Sequence, residues 1–499
     1  MTKWLVVLLT CGALDAAIIK GSVVENQTGK ALARAAVTIQ PVAGSQGPSK
    51  TARTNTYGMF EFADLPAGAY LLHAARRGFM RVEFGQKSWR AAGQPVVVEQ
   101  DQSVFVSVRM LRFASISGMI VDENDVGLPE HEVVAMSNTR PPRVMAKAQA
   151  DDRGMYRISG LDPGTYLVRS LARAYEEGGY LPTFHRETLR VDEAGTVDTM
   201  ADQETMSVKV RPLPGRLFTI SGRAQNSLLL PMTVTLASDV GRETVTTSGP
   251  FQFSDRAPGN YELLLETVPD RRGTLGAYVP ISLERDMTGV SITLLPVPTV
   301  NIDLRSTQGG RLMDSTGVKM MVRRVDMAGV GQPEALSGPA GGSLLPGRWQ
   351  IRLAPSPVYV AAEFRGPRGE QAEGGRADGW NEFTVGNSYN GMRYVLSNKP
   401  GAVHGAVYTG AHEPAAGVPV FLEAYSESGH KRMVELLSTR TDMKGQYNFV
   451  GLAPGTYRLV STFEYREPET ADIDGMSPRV FLVEEGRDQQ QDLDVWAIR

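Results

Sequence analysis

"GLDPGTYLVR", residues 160–169, sets a Pro-Gly turn directly before a tyrosine and an apolar run. The chain writes it again as "DLPAGAYLLH" (64–73), "APGNYELLL" (257–265), "LPGRWQIRL" (345–353) and "GLAPGTYRLV" (451–460). Proline presets φ at the first corner and glycine accepts a positive φ at the next, so each copy reads as a turn entering a strand. Beyond the aromatic, apolar residues fall at every second position. Tyr457 shares parity with Leu459, Tyr261 with Leu263 and Leu265, and Trp349 with Ile351 and Leu353, while Arg458, Glu262 and Gln350 take the other face. The recurring aromatics Tyr70, Tyr166, Tyr261, Trp349 and Tyr457 therefore point inward. Each is expected to plug one end of a sandwich while its polar tip satisfies a backbone group near the turn. On this reading the five copies are one structural joint rather than a displayed ligand site.

A second glycine stands ten residues before the turn glycine in four copies: Gly58/Gly68, Gly154/Gly164, Gly249/Gly259 and Gly445/Gly455. In three of them Asn55, Asp151 or Asp442 lies three residues before that glycine, where a short polar side chain closes an Asx-type turn. Strand starts recur upstream as "IIKGSVV" (18–24), "SISGMIV" (115–121), "TISGRA" (219–224) and "AVHGAVY" (402–408), and a weaker copy begins near "TVNIDLRS" (299–306). Closing strands precede each new start. Period-two alternation with turn signals, and no sustained helical period, predict an all-β chain of five tandem antiparallel β-sandwiches, transthyretin-like or immunoglobulin-like, as beads on a string. The expected units are 18–112, 113–213, 214–297, 298–398 (degenerate) and 399–499, after a signal peptide at 1–17. Short proline-bearing linkers such as "RPLPGRLF" (211–218) favour a semi-rigid rod.

A leading G-x-V, a mid-unit G-x-[YF]-x-[FI] and then L-x-[PA]-G-x-Y together resemble the carboxypeptidase regulatory-like domain. That domain is a seven-stranded transthyretin-like sandwich related to the Cna B-type repeats of bacterial surface proteins. Copies one, two and five match well. Copy three has a shortened first half, and copy four lacks the aligned first glycine and carries Trp349 for tyrosine, which leaves its strand order open.

The N-terminus, "MTKWLVVLLTCGALDAAIIKG", has one lysine, a short apolar stretch and small residues, the pattern of an export signal cut near Ala16 or Ala17. Cys11, the only cysteine, would leave with it, so the mature chain would hold no disulfide. "LLTC" (8–11) also partly resembles a lipoprotein box, which makes Cys11 a candidate lipid anchor. No later apolar stretch is long enough for a transmembrane span. With 52 basic and 55 acidic residues in mixed order and a net charge of −3, no nucleic-acid partner is indicated.

The sequence carries no catalytic signature. None of the six histidines has glutamate three residues on. After His131 and His412, the position of a zincin's second histidine holds Ala135 and Ala416. Phosphate-loop, dinucleotide and nucleophile-elbow patterns are missing as well. The acidic stretches "DENDVG" (122–127) and "DIDG" (472–475) lack a full calcium-ligand set and read as solvated turns. The most ligand-like stretch is "ARAYEEGGYLPTFHRE" (172–187), where Tyr175, Tyr180 and Phe184 could stack on sugar rings and Glu176 and Glu177 could bind hydroxyls. Trp89 and Trp380 occupy equivalent loops of units one and four, which suggests a shared role.

The expectation is therefore an exported protein, secreted, periplasmic or on the cell surface. It is not an enzyme and has no cofactor, catalytic residue or metal site. It would act as a spacer, adhesion or interaction module whose partners are other envelope or extracellular proteins, or glycans. The alternatives are a carbohydrate-binding protein of starch-binding-like fold and an accessory subunit of an envelope transport or peptidase system.

Overall fold

The computed structural model describes residues 17–498 except 177, 226–229, 269–272, 311–317, 337–340, 388–389 and 427–430. The leader, Cys11 and Glu177 therefore lie outside the described residues. In the first unit the strands are β1 (Ala17–Glu25), β2 (Ala36–Pro41), β3 (Lys50–Arg53), β4 (Met59–Leu65), β5 (Gly68–Ala75), β6 (Val82–Glu83), β7 (Val96–Val98) and β8 (Ser103–Met110). One sheet runs β4-β1-β8, and the other runs β3-β2-β5 with β6 and β7 both on the far side of β5. β1 is antiparallel to β4 and parallel to β8, so the unit closes by laying its last strand along its first. Strict alternation of buried and half-exposed residues along β1 sends one face into the core, as period two requires.

The same pair of sheets recurs around the first strands Ala114–Met119, Phe218–Gln225 and Gly401–Tyr408, each again flanked by an antiparallel mid-unit strand and a parallel closing strand. The glycine inside these strands has a steric cause. A methyl group at Gly118 would overlap the carbonyl oxygen of Val208, and one at Gly405 that of Gln491. Unit four departs. Among the described residues its first strand Thr299–Ser306 pairs with Gly341–Ser343 as mid-unit partner, and Val360–Arg365 joins the same sheet beyond the closing strand Asn390–Ser397.

Each pair of sheets encloses its own apolar cluster, so the five cores are separate. Among the described residues helix is confined to Thr470–Asp474 and one 3-10 turn, Glu373–Gly375. The short helix alters one expectation. Arg458 does take the outer face of its strand, but there it is 3% exposed, bonded to Glu423 and Asp474 and lying over Tyr425.

The Pro-Gly corner has one geometry in all five units. The aromatic donates to the carbonyl four residues earlier: Tyr70 to Pro66 (2.7 Å), Tyr166 to Asp162 (2.8 Å), Tyr261 to Ala257 (2.9 Å) and Tyr457 to Ala453 (2.9 Å). Trp349 reaches the Leu345 carbonyl through its indole N–H at 2.8 Å, which is how tryptophan replaces tyrosine in unit four. At the opposite end of the mid-unit strand, Asn55, Asp151 and Asp442 each accept two backbone N–H groups through Oδ1, at 2.8–3.0 Å. The glycine that follows sits at φ of +72°, +75° and +74° at Gly58, Gly154 and Gly445. That left-handed turn favours glycine.

Three substitutions test this frame. Tyr457→Phe leaves the buried Ala453 carbonyl without its donor and should cost roughly 1–3 kcal/mol of unfolding free energy in a denaturant titration. Tyr261→Phe, at a half-exposed ring, should cost less; equal costs would mean that neither burial of the bond nor the second bond that the Tyr457 hydroxyl accepts from Arg376 matters. Gly154→Ala puts a methyl group at positive φ and against the Ile120 carbonyl. It should lower stability by at least about 1 kcal/mol.

Candidate functional site

The aromatics of the 172–187 loop are turned onto their own unit. Arg173–Tyr175 and Gly178–Tyr180 form a small hairpin. The Tyr175 hydroxyl lies 2.9 Å from the Pro129 carbonyl and 3.0 Å from His131 Nδ1. Tyr180 meets Tyr175 edge to face at 5.9 Å and donates to Glu123 at 3.3 Å. Phe184 is 3% exposed in a satellite core with Val134, Met136 and Leu167, beneath the Arg169 guanidinium. Glu176 is exposed at the hairpin turn. The loop thus brings Tyr175 and Tyr180 together on the main core of unit two but sends Phe184 into a separate satellite core, so its three rings do not form one platform.

His131 is fully buried behind this hairpin. Its Nε2 donates to the Leu171 carbonyl at 2.9 Å, which leaves Nδ1 as an acceptor facing Tyr175. Burial pulls it down to about 4, the Leu171 bond opposing and Arg173 assisting. His131 is therefore neutral, a packing residue of the loop.

The two acidic stretches are bonded internally. Asp122 Oδ1 caps its own turn through the N–H groups of Asn124 and Val126, and Asp125 pairs with Lys209 and Arg211. Asp472 caps the short helix and pairs with Arg90, and Asp474 pairs with Arg458.

The richest chemistry lies between units, where each junction joins an arginine to a carboxylate. The junction of units one and two is the exception: there Asp202 accepts from the Asn26 side chain and from the backbone N–H of Arg112, while the Arg112 guanidinium pairs with Glu25 inside unit one; between two and three, Arg169 meets Asp239. Arg242 grips Asp326 with two bonds of 2.8 Å between three and four, a fork geometry specific to guanidinium and carboxylate. Between four and five, Glu435 accepts from Arg352 and from the Trp380 indole, and Arg376 donates to the corner hydroxyl of Tyr457 at 2.6 Å. A cavity of about 180 Å³ opens beside this contact.

The fifth junction joins unit five to unit one, which corrects the expectation of a semi-rigid rod: the units keep private cores as expected, but the two ends of the string meet. Arg440 reaches Glu83 at 3.0 Å and the carbonyls of Gly93 and Gly417 at 3.1 and 2.8 Å. Backbone bonds run from Ala92 to Phe463 (2.8 Å), from Arg466 to Arg90 (2.6 Å) and from Met443 to Ala43 (3.0 Å). Lys87 pairs with Glu464. The loops of Trp89 and Trp380 do share a role, since both are docked on unit five. Sequence reading singled out these loops by their tryptophans but missed the arginines, whose partners are remote in the chain.

Residues 18–110 match the family model of the carboxypeptidase regulatory-like domain, so unit one carries that domain. No curated protein matches the chain. Among solved structures, a minor pilin of Streptococcus agalactiae aligns at 14% identity over 40% of this chain and 96% of its own, with a TM-score of 0.24. The TIE protein of Bacillus anthracis aligns at 11% over 97% and 75%, with a TM-score of 0.18. The major pilin subunit of Bacillus cereus aligns at 11% over 77% and 99%, with a TM-score of 0.16. Likenesses this distant do not bear on function. Among the described residues, no helix is long and apolar enough to cross a membrane.

Two measurements follow from this geometry. Arg440→Ala should loosen the junction of units five and one and raise the radius of gyration in small-angle X-ray scattering; an unchanged profile would show that the contact does not depend on Arg440. For His131 the folded chain takes up its proton near pH 4 and the unfolded chain near 6.5. Stability is thus complete above pH 6.5 and is lost as pH falls toward 4, by roughly 3 kcal/mol. Denaturation profiles should converge with those of His131→Gln at low pH, and parallel profiles would contradict the assignment.

Proposed function

We propose that the chain is an exported, non-catalytic protein of the bacterial cell envelope, a rigid multi-sandwich body that holds its variable loops in fixed relation for contact with other proteins. One observation carries this reading. The arginines, carboxylates and tryptophans that could have lined a reactive cleft are instead spent on fixing one unit against the next, the fork of Arg242 on Asp326 being the clearest case. Rigid sandwiches with loops at their ends are a common platform for recognition. The regulatory-like domain at 18–110 is in keeping with an interaction role. The carbohydrate reading draws less support, because Tyr175 and Phe184 are turned onto the body of unit two.

Export is part of the proposal. β1 begins at Ala17, which is fully buried, so removal of residues 1–16 or 1–17 would leave the first strand nearly whole. Expressed with its own leader in a bacterial host, the chain should be recovered from the exported fraction, with an intact mass that places its first residue at Ala17 or Ile18. Recovery only from the cytoplasm with residues 1–16 still attached would contradict the reading.

A further inference from the structure

The corner of unit three differs from the other four. Tyr70, Tyr166, Trp349 and Tyr457 are buried, whereas the Tyr261 ring stays half-exposed. It opens on a cleft of about 360 Å³ in which unit three faces unit two, with Met327 of unit four also in its wall. The corner itself, from Asp255 to Tyr261, lines one side, and Glu132 and Arg169 of unit two belong to the other. The cleft takes in Ala172 and Pro182 of the 172–187 loop but none of that loop's rings.

Most of the charge around this cleft is already matched. Arg169 is paired with Asp239, Arg256 with Glu243 at 2.7 Å and Glu132 with Lys147 at 3.5 Å. The side chain of Asp239 is nevertheless 54% exposed, so its carboxylate keeps free acceptor sites. Among the described residues, the exposed side chains of Asp255 and Asn260 have no hydrogen-bond or ion-pair partner. Asp255 also stands where other corners use glycine. Four residues before the turn glycine, units two and five place Gly160 and Gly451 at φ of +81° and +75°. Unit three keeps that left-handed backbone, at φ of +59°, but sets a carboxylate on it.

A cleft of this size lies at the lower end of the range, about 300–1,000 Å³, that holds small molecules. With its ion pairs internally balanced, it suits a ligand without net charge. Hydroxyl groups both donate and accept, so a carboxylate, a carboxamide and an already paired acid can all serve them. The Tyr261 hydroxyl is committed to the Ala257 carbonyl, which leaves its ring as an apolar patch for the C–H face of a ligand. We propose that Asp239, Asp255, Asn260 and Tyr261 form a site for one neutral sugar ring, held in the cleft between units two and three.

The test is saturation-transfer NMR and calorimetric titration of the whole mature chain with glucose, galactose, mannose and N-acetylglucosamine. Asp255→Gly restores the residue that units two and five carry at this corner, and Asn260→Thr likewise copies Thr165 and Thr456, so both variants keep the local backbone. At least one sugar should bind saturably in the millimolar range. Its affinity should fall by roughly tenfold in Asp255→Gly, the loss of a hydrogen bond to a charged group, and by roughly threefold in Asn260→Thr. Asp64→Gly, at the same place in unit one, should leave it unchanged. No saturable binding of any of the four sugars, unchanged affinity in either cleft variant, or an equal loss in Asp64→Gly would overturn the site.

Discussion

The bond from each corner aromatic to the carbonyl four residues earlier is the constraint on which the remainder of the molecule depends. It joins the Pro-Gly turn to the start of the strand that follows and ties a large ring in the core to one end of the sandwich. An unpaired carbonyl at that depth would cost as much as several ordinary hydrogen bonds contribute net. Tyr457 and Tyr70 are essentially inaccessible, so there the bond and the core form together. The Asx turns at Asn55, Asp151 and Asp442 set the length of the mid-unit strand from its other end. Between them, turn and corner hold three of the units in one register.

The same corners are where units touch. Arg376 of unit four donates to the Tyr457 corner, and a methyl group on Gly455 would collide with it. Tyr278 of unit three lies against Gly347, and a methyl group on Gly276 would overlap Leu345. Ala257 to Tyr261 of unit three line a cavity with Arg169 and Leu171 of unit two. In unit one the loop beside the corner, Ala43 and Gly44, meets Met443. In four of the five units the corner, or the loop beside it, thus serves also as a face offered to a neighbour. Partly exposed ion pairs contribute little singly. Once four junctions have placed unit five beside unit one, however, the fifth forms at high effective concentration.

The fold class was legible because it rests on local patterns. Alternation at period two, the paired glycines and the corner motif each act within about twenty residues, and each has a direct physical counterpart in the sheets. Unit four was legible only in its departure: the first glycine is missing from its sequence, and a further strand, Val360–Arg365, extends its first sheet beyond the closing strand. The junctions were not legible, because Arg440 and Glu83 are 357 residues apart and nothing in either neighbourhood marks the partner. Parity placed Arg458 correctly on the outer face, but it could not reveal that Thr470–Asp474 would fold over it. For the 172–187 loop, composition exposed the aromatic cluster, whereas the direction of its rings depends on His131 and Pro129 some forty residues earlier.

Closure of the chain on itself can be measured directly. A β-carbon built on Gly44 lies 3.7 Å from that of Met443, within the span of a disulfide. With Cys11 replaced by serine, a chain carrying Gly44→Cys and Met443→Cys should form an intramolecular crosslink on mild oxidation. The product should be monomeric and migrate faster than the reduced chain, and neither single variant should give it. Failure to form that crosslink, or its appearance only between molecules, would contradict a contact between the first and last sandwiches.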